Sequence, residues 1–256
     1  MIAARIHSPA LHAGLLLVAC LLALLPGHAR ADSWWGERIN GSGVLKAETR
    51  DLIGFHAITL GVEARLELRQ GDSEGVVVTG DDNIIPLIET VVDNGTLKIR
   101  WVSKGNFSVH YKKLNIVVHA KDIDGLSVAG SGDIRAAKLK TGALRTAIGG
   151  SGDITIDNLE ATSLNVSLAG SGDLVVGGRV DTMDVSLSGS GDVSAAKLDA
   201  RIAKVSLQGS GDVSVWARES LTATVAGSGD VTYYGKPKVA GSVAGSGSVR
   251  PDRTGS

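Results

Sequence analysis

The sequence has little cysteine, proline, aromatic side chain or net charge, and each shortage removes a class of protein. Its single cysteine, Cys20, lies in an N-terminal apolar run, so a chain cleaved after that run has neither disulfides nor thiol chemistry. Aromatic residues make up 4% and prolines number 5, so a large core must be built from aliphatic side chains. A formal net charge of -1 gives no general attraction to nucleic acid or to an anionic membrane.

The chain has one long apolar run, which is typical of an export signal. Leu15–Leu25 spans 11 residues, too few to cross a membrane comfortably, and Arg5 places a positive charge before it. Ala29-Arg30-Ala31 fits the small-x-small cleavage pattern. The sequence therefore predicts a signal peptide over residues 1–31 and no transmembrane segment in the mature chain.

A second interpretation of the leader is a lipoprotein box, Leu17-Val18-Ala19-Cys20. Lipidation at Cys20 would leave Leu21–Leu25 on the mature protein, so cleavage after Ala31 is favoured. Either interpretation predicts an exported protein of the periplasm, the outer-membrane surface or the extracellular space.

Glycine is abundant, with 34 residues, and much of it recurs in one motif. Successive copies are 20, 20, 19, 20, 18 and 18 residues apart, which is a repeat of near-constant length and not the three-residue period of collagen. Gly-Ser-Gly-Asp begins at Gly130, Gly150, Gly170, Gly189, Gly209 and Gly227, and a degenerate Gly-Ser-Gly-Ser begins at Gly245.

The residues around each copy alternate between apolar and small polar side chains, which predicts strands. Two residues before the motif stand Val128, Ile148, Leu168, Leu187, Leu207, Val225 and Val243, and just after it stand Ile134, Ile154, Leu174, Val193, Val213, Val231 and Val249. Coils of about 20 residues with a glycine corner favour an all-β, parallel β-helix, or β-solenoid. The signature of a leucine-rich repeat is absent from this sequence, and a propeller blade needs about twice this repeat length.

The segment before the repeats is less regular but also rich in predicted strands. Ala57–Leu60, Ala64–Leu68, Gly75–Val78 and Leu114–His119 have strand character, and Asn94-Gly95 favours a type I′ hairpin turn. Pro86 limits any helix in 81–89 to a brief turn. We predict an N-terminal polar segment at 32–43, one solenoid domain at 44–249 and a C-terminal tail at 250–256. The solenoid has an irregular part, 44–120, and regular repeats, 121–249.

The motif's aspartates would form a charged column if the coils stack in register. Its serines and aspartates can accept bonds from backbone N–H groups within the turn, which is a purely structural role. Calcium is the alternative, but one carboxylate per coil supplies too few of its six to eight oxygen ligands. The column comprises Asp133, Asp153, Asp173, Asp192, Asp212 and Asp230.

A second column, from Ser127 to Ser242, consists of serine, threonine and alanine. If it points outwards it makes a flat face that could dock a partner, a glycan or another copy, although a solvated strand face is the ordinary interpretation. The mature chain has three histidines, His56, His110 and His119, none of them in the regular repeats. We therefore assign no catalytic, cofactor-binding or metal-binding residue.

These features together resemble the head GIN domain family, whose members are labelled putative auto-transporter adhesins. The resemblance rests on the Gly-Ser-Gly-Asp series together with Gly54-Phe55, Gln70-Gly71-Asp72, Asp81-Asp82-Asn83 and Asn94–Ile99. It implies a right-handed β-helix at the envelope or surface. Gly61-Val62-Glu63-Ala64 stands where members often carry another copy of the motif, so that corner is expected to differ.

The predicted function is that of an exported, non-catalytic, adhesin-like binding protein of the cell envelope. Its partner would be a glycan or a protein, self-association is an option, and nucleic acid is not expected. The alternative is a β-helical lyase or hydrolase acting on polysaccharide. The aspartates recur once per coil, whereas a catalytic carboxylate pair is local, so the repeat favours a scaffold.

Overall fold

The structure is a computed structural model that describes residues 37–102 and 107–252. It is a β-solenoid of about 6 turns with roughly 20-residue coils, which confirms the predicted fold class. The predicted signal peptide and Cys20 lie outside the described residues. Within those residues, no helix has the length and apolar character needed to cross a bilayer.

The strands are short before Leu139, long from Leu139 to Gly227, and short again after Gly227. A single turn of 3-10 helix, Ile85–Leu87, follows β5, as Pro86 predicts. The strands are β1 Glu37–Asn40, β2 Leu45–Arg50, β3 Ala57–Leu60, β4 Arg65–Gln70, β5 Gly75–Asp81, β6 Ile88–Asp93, β7 Thr96–Trp101, β8 Phe107–His110, β9 Asn115–Ala120, β10 Gly125–Gly130, β11 Asp133–Ala136, β12 Leu139–Gly150, β13 Ile154–Gly170, β14 Leu174–Gly189, β15 Val193–Gly209, β16 Val213–Gly227, β17 Asp230–Tyr234, β18 Lys238–Gly245 and β19 Ser248–Pro251.

The regular coils are stacked in a parallel register that places equivalent residues one above another. Val166 pairs with Val185, and Val185 pairs with Val205. These aliphatic side chains are buried, while the small polar residues between them face solvent, as the alternation predicts. Differences in coil length are absorbed by register shifts away from the glycine turn, for example between Ile156 and Leu159.

The glycine turn is shaped by how closely successive coils approach. A β-carbon added to Gly191, the third residue of its motif, would lie 2.0 Å from the carbonyl oxygen of Gly172 in the preceding coil. At the first position, Gly189 has a φ of 141°, and an added β-carbon would lie 2.2 Å from the Gly170 oxygen. That same oxygen accepts the N–H groups of Ser190 and Gly191 at 2.9 and 3.2 Å. Backbone therefore stacks directly on backbone, and any side chain would force the coils apart.

The aspartates form a ladder of hydrogen bonds between coils. The backbone N–H of Asp173 donates to the carboxylate of Asp153 at 2.8 Å, and equivalent bonds join Asp192 to Asp173, Asp212 to Asp192 and Asp230 to Asp212. The sequence predicted that each carboxylate accepts an N–H of its own turn. The donor instead lies in the next coil, because stacking in register brings that coil's N–H over the carboxylate. These donors offset the repulsion between neighbouring charges.

The serines of the motif do not take the role that the sequence suggested. They are exposed, and among the residues described their hydroxyls make no hydrogen bond. The turn is therefore held by glycine carbonyls and aspartate carboxylates.

The first part of the chain reverses the direction of strand pairing. Strands β3 and β4 still stack in parallel on β10 and β11 on one side and on β7 and β9 on the other. Strand β5 then pairs antiparallel with β2 and β9, and β6 pairs antiparallel with β7 through the predicted Asn94-Gly95 turn, where φ is 48° and 74°. Antiparallel strands therefore close this end of the stack.

Replacing a stacked glycine should destabilise the protein much more than replacing an open one. We expect Gly191→Ala to lower the free energy of unfolding by about 2 to 3 kcal/mol, because its methyl group meets a fixed carbonyl. Gly142→Ala is the matched control: it is an exposed glycine with open space around its β-carbon position. Denaturant titration of both variants measures the difference, and equal stabilities would contradict the stacking argument.

The aspartate ladder makes a second prediction, which separates its hydrogen bond from its charge. Asp192→Ala removes the acceptor of the Asp212 N–H and should cost about 1 to 2 kcal/mol. Asp192→Asn keeps an acceptor oxygen and should cost less than about 0.5 kcal/mol. Thermal melts with added calcium and with EDTA complete the test. If the two variants lose the same amount of stability, and calcium stabilises only the parent protein, the column holds a cation instead.

Candidate binding site

The corner Gly61–Ala64 stacks on the first regular turn but lacks its chemistry. The N–H of Asp133 donates to the carbonyl oxygen of Ala64 at 2.8 Å, so the backbone stacking continues. In the backbone register, however, the position of Asp133 is aligned with Arg65 of the neighbouring strand, and Arg65 is aligned with Asn115. The backbone stacking therefore continues through this corner, whereas the acidic column ends here.

A short segment between β8 and β9 lies against this corner. We call Tyr111, Lys112 and Lys113 the ridge. The Tyr111 hydroxyl donates to the carbonyl oxygen of Glu63 at 2.5 Å, and its ring centroid lies 5.8 Å from that of Trp101 at a tilt of 59°. Burial, followed by the nearby negative charge of Glu63, raises the pKa of Tyr111 to about 12. These contacts hold the ridge on the irregular corner.

The ridge divides two clefts of similar size. The first cleft, of about 400 Å³, lies between the ridge, the Glu63–Arg65 corner, and Ser131 and Asp133 of the first regular turn. The second cleft, of about 410 Å³, lies on the other side, against Gly41–Gly43, Asp81 and His110. Both volumes suit one or two sugar units.

The charges around the first cleft are uncommitted. Among the described residues, the side chains of Glu63, Arg65, Lys112, Lys113 and Asp133 make no ion pair and no hydrogen bond with one another or with a neighbour. The cleft therefore offers ammonium and guanidinium groups beside carboxylates and a half-buried aromatic ring.

Elsewhere on the solenoid, many charges are neutralised by the coil above or below. Lys140 pairs with Glu160 at 2.9 Å, and Arg201 pairs with Glu219 at 3.0 Å. Such exposed pairs contribute little stability, but they leave those basic groups less free for a ligand. Free basic side chains also occur in the regular coils, at Lys138, Arg145 and Lys197. The first cleft differs because three free basic groups and two free carboxylates of the described residues line one depression.

The second cleft is shaped by the Asp81-Asp82-Asn83 motif. Asp81 is buried, and its carboxylate accepts the N–H of Gly43 at 2.9 Å. Asn83 accepts the N–H of Ser42 at 2.9 Å and donates to the carbonyl oxygen of Asn40 at 2.8 Å. The motif therefore clamps the loop that forms one wall of the cleft.

The features that the sequence singled out lie elsewhere. The column from Ser127 to Ser242 does face outwards and makes a smooth, uncharged strip. The histidines are dispersed: His56 contacts Asp124 at 3.0 Å, His110 ends β8 and His119 lies in β9. No group of three or more histidine, cysteine or acidic side chains in the described ranges could hold a metal.

One exposed aromatic patch is a rival to the clefts. Trp216 is 41% exposed and stacks on Tyr234 with ring centroids 6.0 Å apart and a tilt of 7°. Its neighbour Arg218 is already paired with Asp199 at 2.9 Å. The patch therefore has a covered ring face, one engaged cation and one free cation, Lys197, whereas the first cleft has three free basic groups and two free carboxylates among the described residues.

Sequence reasoning missed both clefts. The signal was present in two interruptions: the corner that departs from the motif, and Lys112-Lys113, which breaks the strand pattern before β9. Their proximity could not be read from the chain, because about 50 residues separate them and the antiparallel strands intervene.

Comparison with known proteins agrees with this architecture. The family model described as "Putative auto-transporter adhesin, head GIN domain" matches residues 54–237, and no curated protein matches the chain. A solved structure of a putative adhesin from Bacteroides fragilis is 28% identical with a TM-score of 0.79, covering 84% of this chain and 100% of its own. A putative lipid binding protein from Parabacteroides distasonis is also 28% identical with a TM-score of 0.73, covering 85% and 100%. Because the family's model matches most of the solenoid, the chain belongs to the head GIN domain family of putative auto-transporter adhesins.

Proposed function

We propose that the protein is an exported, non-catalytic binding protein whose ligand is an acidic glycan of the cell envelope or surface. The site is the pair of clefts beside the ridge. The observation that carries the proposal is the set of free charges around the first cleft, at the corner where the repeat is interrupted. Family membership supports a binding role and an exported location.

Each part of the first cleft matches a feature of an acidic sugar. The ammonium groups of Lys112 and Lys113 and the guanidinium of Arg65 can pair with a uronate carboxylate. The carboxylates of Glu63 and Asp133 can accept sugar hydroxyl groups. The Tyr111 ring, held by its hydroxyl, can contact the apolar face of a pyranose ring.

The position of the repeated aspartates supports a non-catalytic role. The repeated aspartates from Asp153 to Asp230 are engaged in the inter-coil ladder, and their role there is architectural. The glycan-cleaving alternative requires a pair of groups placed on either side of one bond. Neither the ladder nor the dispersed histidines supply such a pair within the described residues. Glu63 and Asp133 both line the first cleft, so the cleavage assay below applies to these two carboxylates.

The binding prediction can be tested with an oligogalacturonate and the matching neutral galactose oligosaccharide. We expect calorimetry to detect the acidic oligosaccharide only, and Lys112→Ala/Lys113→Ala to weaken its affinity about tenfold or more. Lys138→Ala/Lys197→Ala removes the same number of exposed lysines, and Lys197 lies beside Trp216, so this control should bind normally.

Three results would count against the proposal. Equal binding of the neutral oligosaccharide would remove the role of charge. Loss of binding in the Lys138/Lys197 control, with normal binding in the ridge variant, would move the site to the Trp216 patch. Reproducible formation of new reducing or unsaturated ends would make the protein an enzyme.

The anchoring of the ridge by Tyr111 predicts a pH dependence. The pKa of Tyr111 is raised to about 12 in the folded protein, whereas an unfolded tyrosine ionises near pH 10. The free energy of unfolding therefore keeps the full contribution of the protonated Tyr111 below about pH 10. It loses this contribution as the pH rises towards 12, because the unfolded chain releases the proton first. Tyr111→Phe should remove both this slope and the latest phase of tyrosinate absorbance. A titration without that late phase in the parent protein would contradict the assignment.

A further inference from the structure

Strand β18 is an open edge at the C-terminal end of the described solenoid. It pairs in parallel with β16, from Ser220 with Lys238 to Gly227 with Gly245, and no described strand pairs with its other side. Every residue of β18 is exposed. Val239 and Val243 are 40% and 43% exposed, although they continue columns that are buried in the coil before them.

The other open edges of the large sheet each carry two or more charged or proline residues, whereas β18 carries only Lys238, at its first residue. Strand β2 carries Lys46 and Glu48, β6 carries Glu89 and Asp93, and β19 carries Arg250 and Pro251. Charges and proline are the usual means of preventing an edge from pairing with another chain. From Val239 to Gly245, β18 has neither, and its outward residues are only alanine and serine.

We propose that β18 pairs antiparallel with β18 of a second copy of the chain, across a twofold axis at Gly241. Directly opposed residues of an antiparallel pair point to the same face. With the axis at Gly241, Val239 of each copy faces Val243 of the other on the core side. Ala240 then faces Ser242 on the outer side. One strand therefore supplies both halves of the contact, as a twofold interface requires.

The end of the aspartate ladder explains why the second copy runs antiparallel. The last turn has Ser248 in place of aspartate, and its hydroxyl donates to Asp230 at 2.8 Å. Arg250 pairs with the other oxygen of Asp230 at 2.8 Å. A further parallel coil would find no carboxylate for its own backbone N–H, whereas an antiparallel strand needs none. At the opposite end of the stack, β6 already covers β7 in this way.

Charge and size set the strength of the pairing. Lys238 is the only charge on β18 and would face Ala244 of the second copy, so no like charges meet. One strand pair buries much less than the roughly 1,600 Å² of a standard interface. The dimer is therefore weak and depends on concentration.

Sedimentation equilibrium over a range of protein concentrations tests this proposal. We expect a monomer–dimer equilibrium, with a dissociation constant raised about tenfold or more in Ala240→Lys/Ala244→Lys, because the new charges meet the partner strand. The matched control is Asn165→Lys/Ala169→Lys, which adds the same charges in the same outward columns four coils away. It should leave the dissociation constant within about twofold of the parent value.

A second variant tests the register while changing little volume. Val239→Thr/Val243→Thr replaces the opposed methyl groups on the core side and should also weaken the dimer, with circular dichroism confirming the fold. A protein that stays monomeric throughout, or a dimer unaffected by either edge variant, would overturn the proposal. A dimer weakened equally by the Asn165/Ala169 control would place the contact on the flat outer face instead.

Discussion

The distance between neighbouring backbones is the constraint on which the rest of this solenoid depends. At the turn, the coils approach until a β-carbon at either glycine position would overlap the carbonyl of the coil below. This approach keeps the strands in register, and the register aligns the aliphatic columns inside. The core therefore depends on the glycine turn as much as on its own side chains. This close stacking explains how a protein with 4% aromatic residues can bury a continuous interior.

The same register decides what the aspartates can do. A column of carboxylates at the spacing of a parallel sheet is electrostatically unfavourable by itself. Four of the six carboxylates instead accept an N–H from the next coil, so the most repeated polar group of the sequence acts mainly in architecture. Around the ridge and the Gly61–Ala64 corner, where repetition fails, several uncommitted charges of both signs line one cleft. In a repeat protein of this kind, interruptions are the places to look for recognition.

The sequence predicted the features that depend on local pattern. Ala57–Leu60 was assigned as a strand with its observed bounds, and the Asn94-Gly95 turn was identified because positive φ favours those residues. The stacking columns followed from spacing alone. Antiparallel pairing of β5 with β9 was not predictable, because it joins segments about 40 residues apart that carry no complementary signature.

The ridge and the ladder were missed for a related reason. The partner of each aspartate lies in the next coil, and local turn chemistry gives the opposite expectation. Tyr111 meets Glu63 only after the chain has reversed twice, so no spacing rule brings them together. The pattern of the sequence does not predict which single polar groups meet when they are far apart in the chain.

The register shifts opposite the glycine turn have a consequence for how such a chain changes over time. Because gains and losses of one or two residues are absorbed there, the corner and its two flanking columns are insulated from small insertions and deletions. Whole coils are also interchangeable, since each contacts only its two neighbours through the same glycine surfaces. Tandem duplication can therefore lengthen the solenoid by whole coils, while both ends keep their structure.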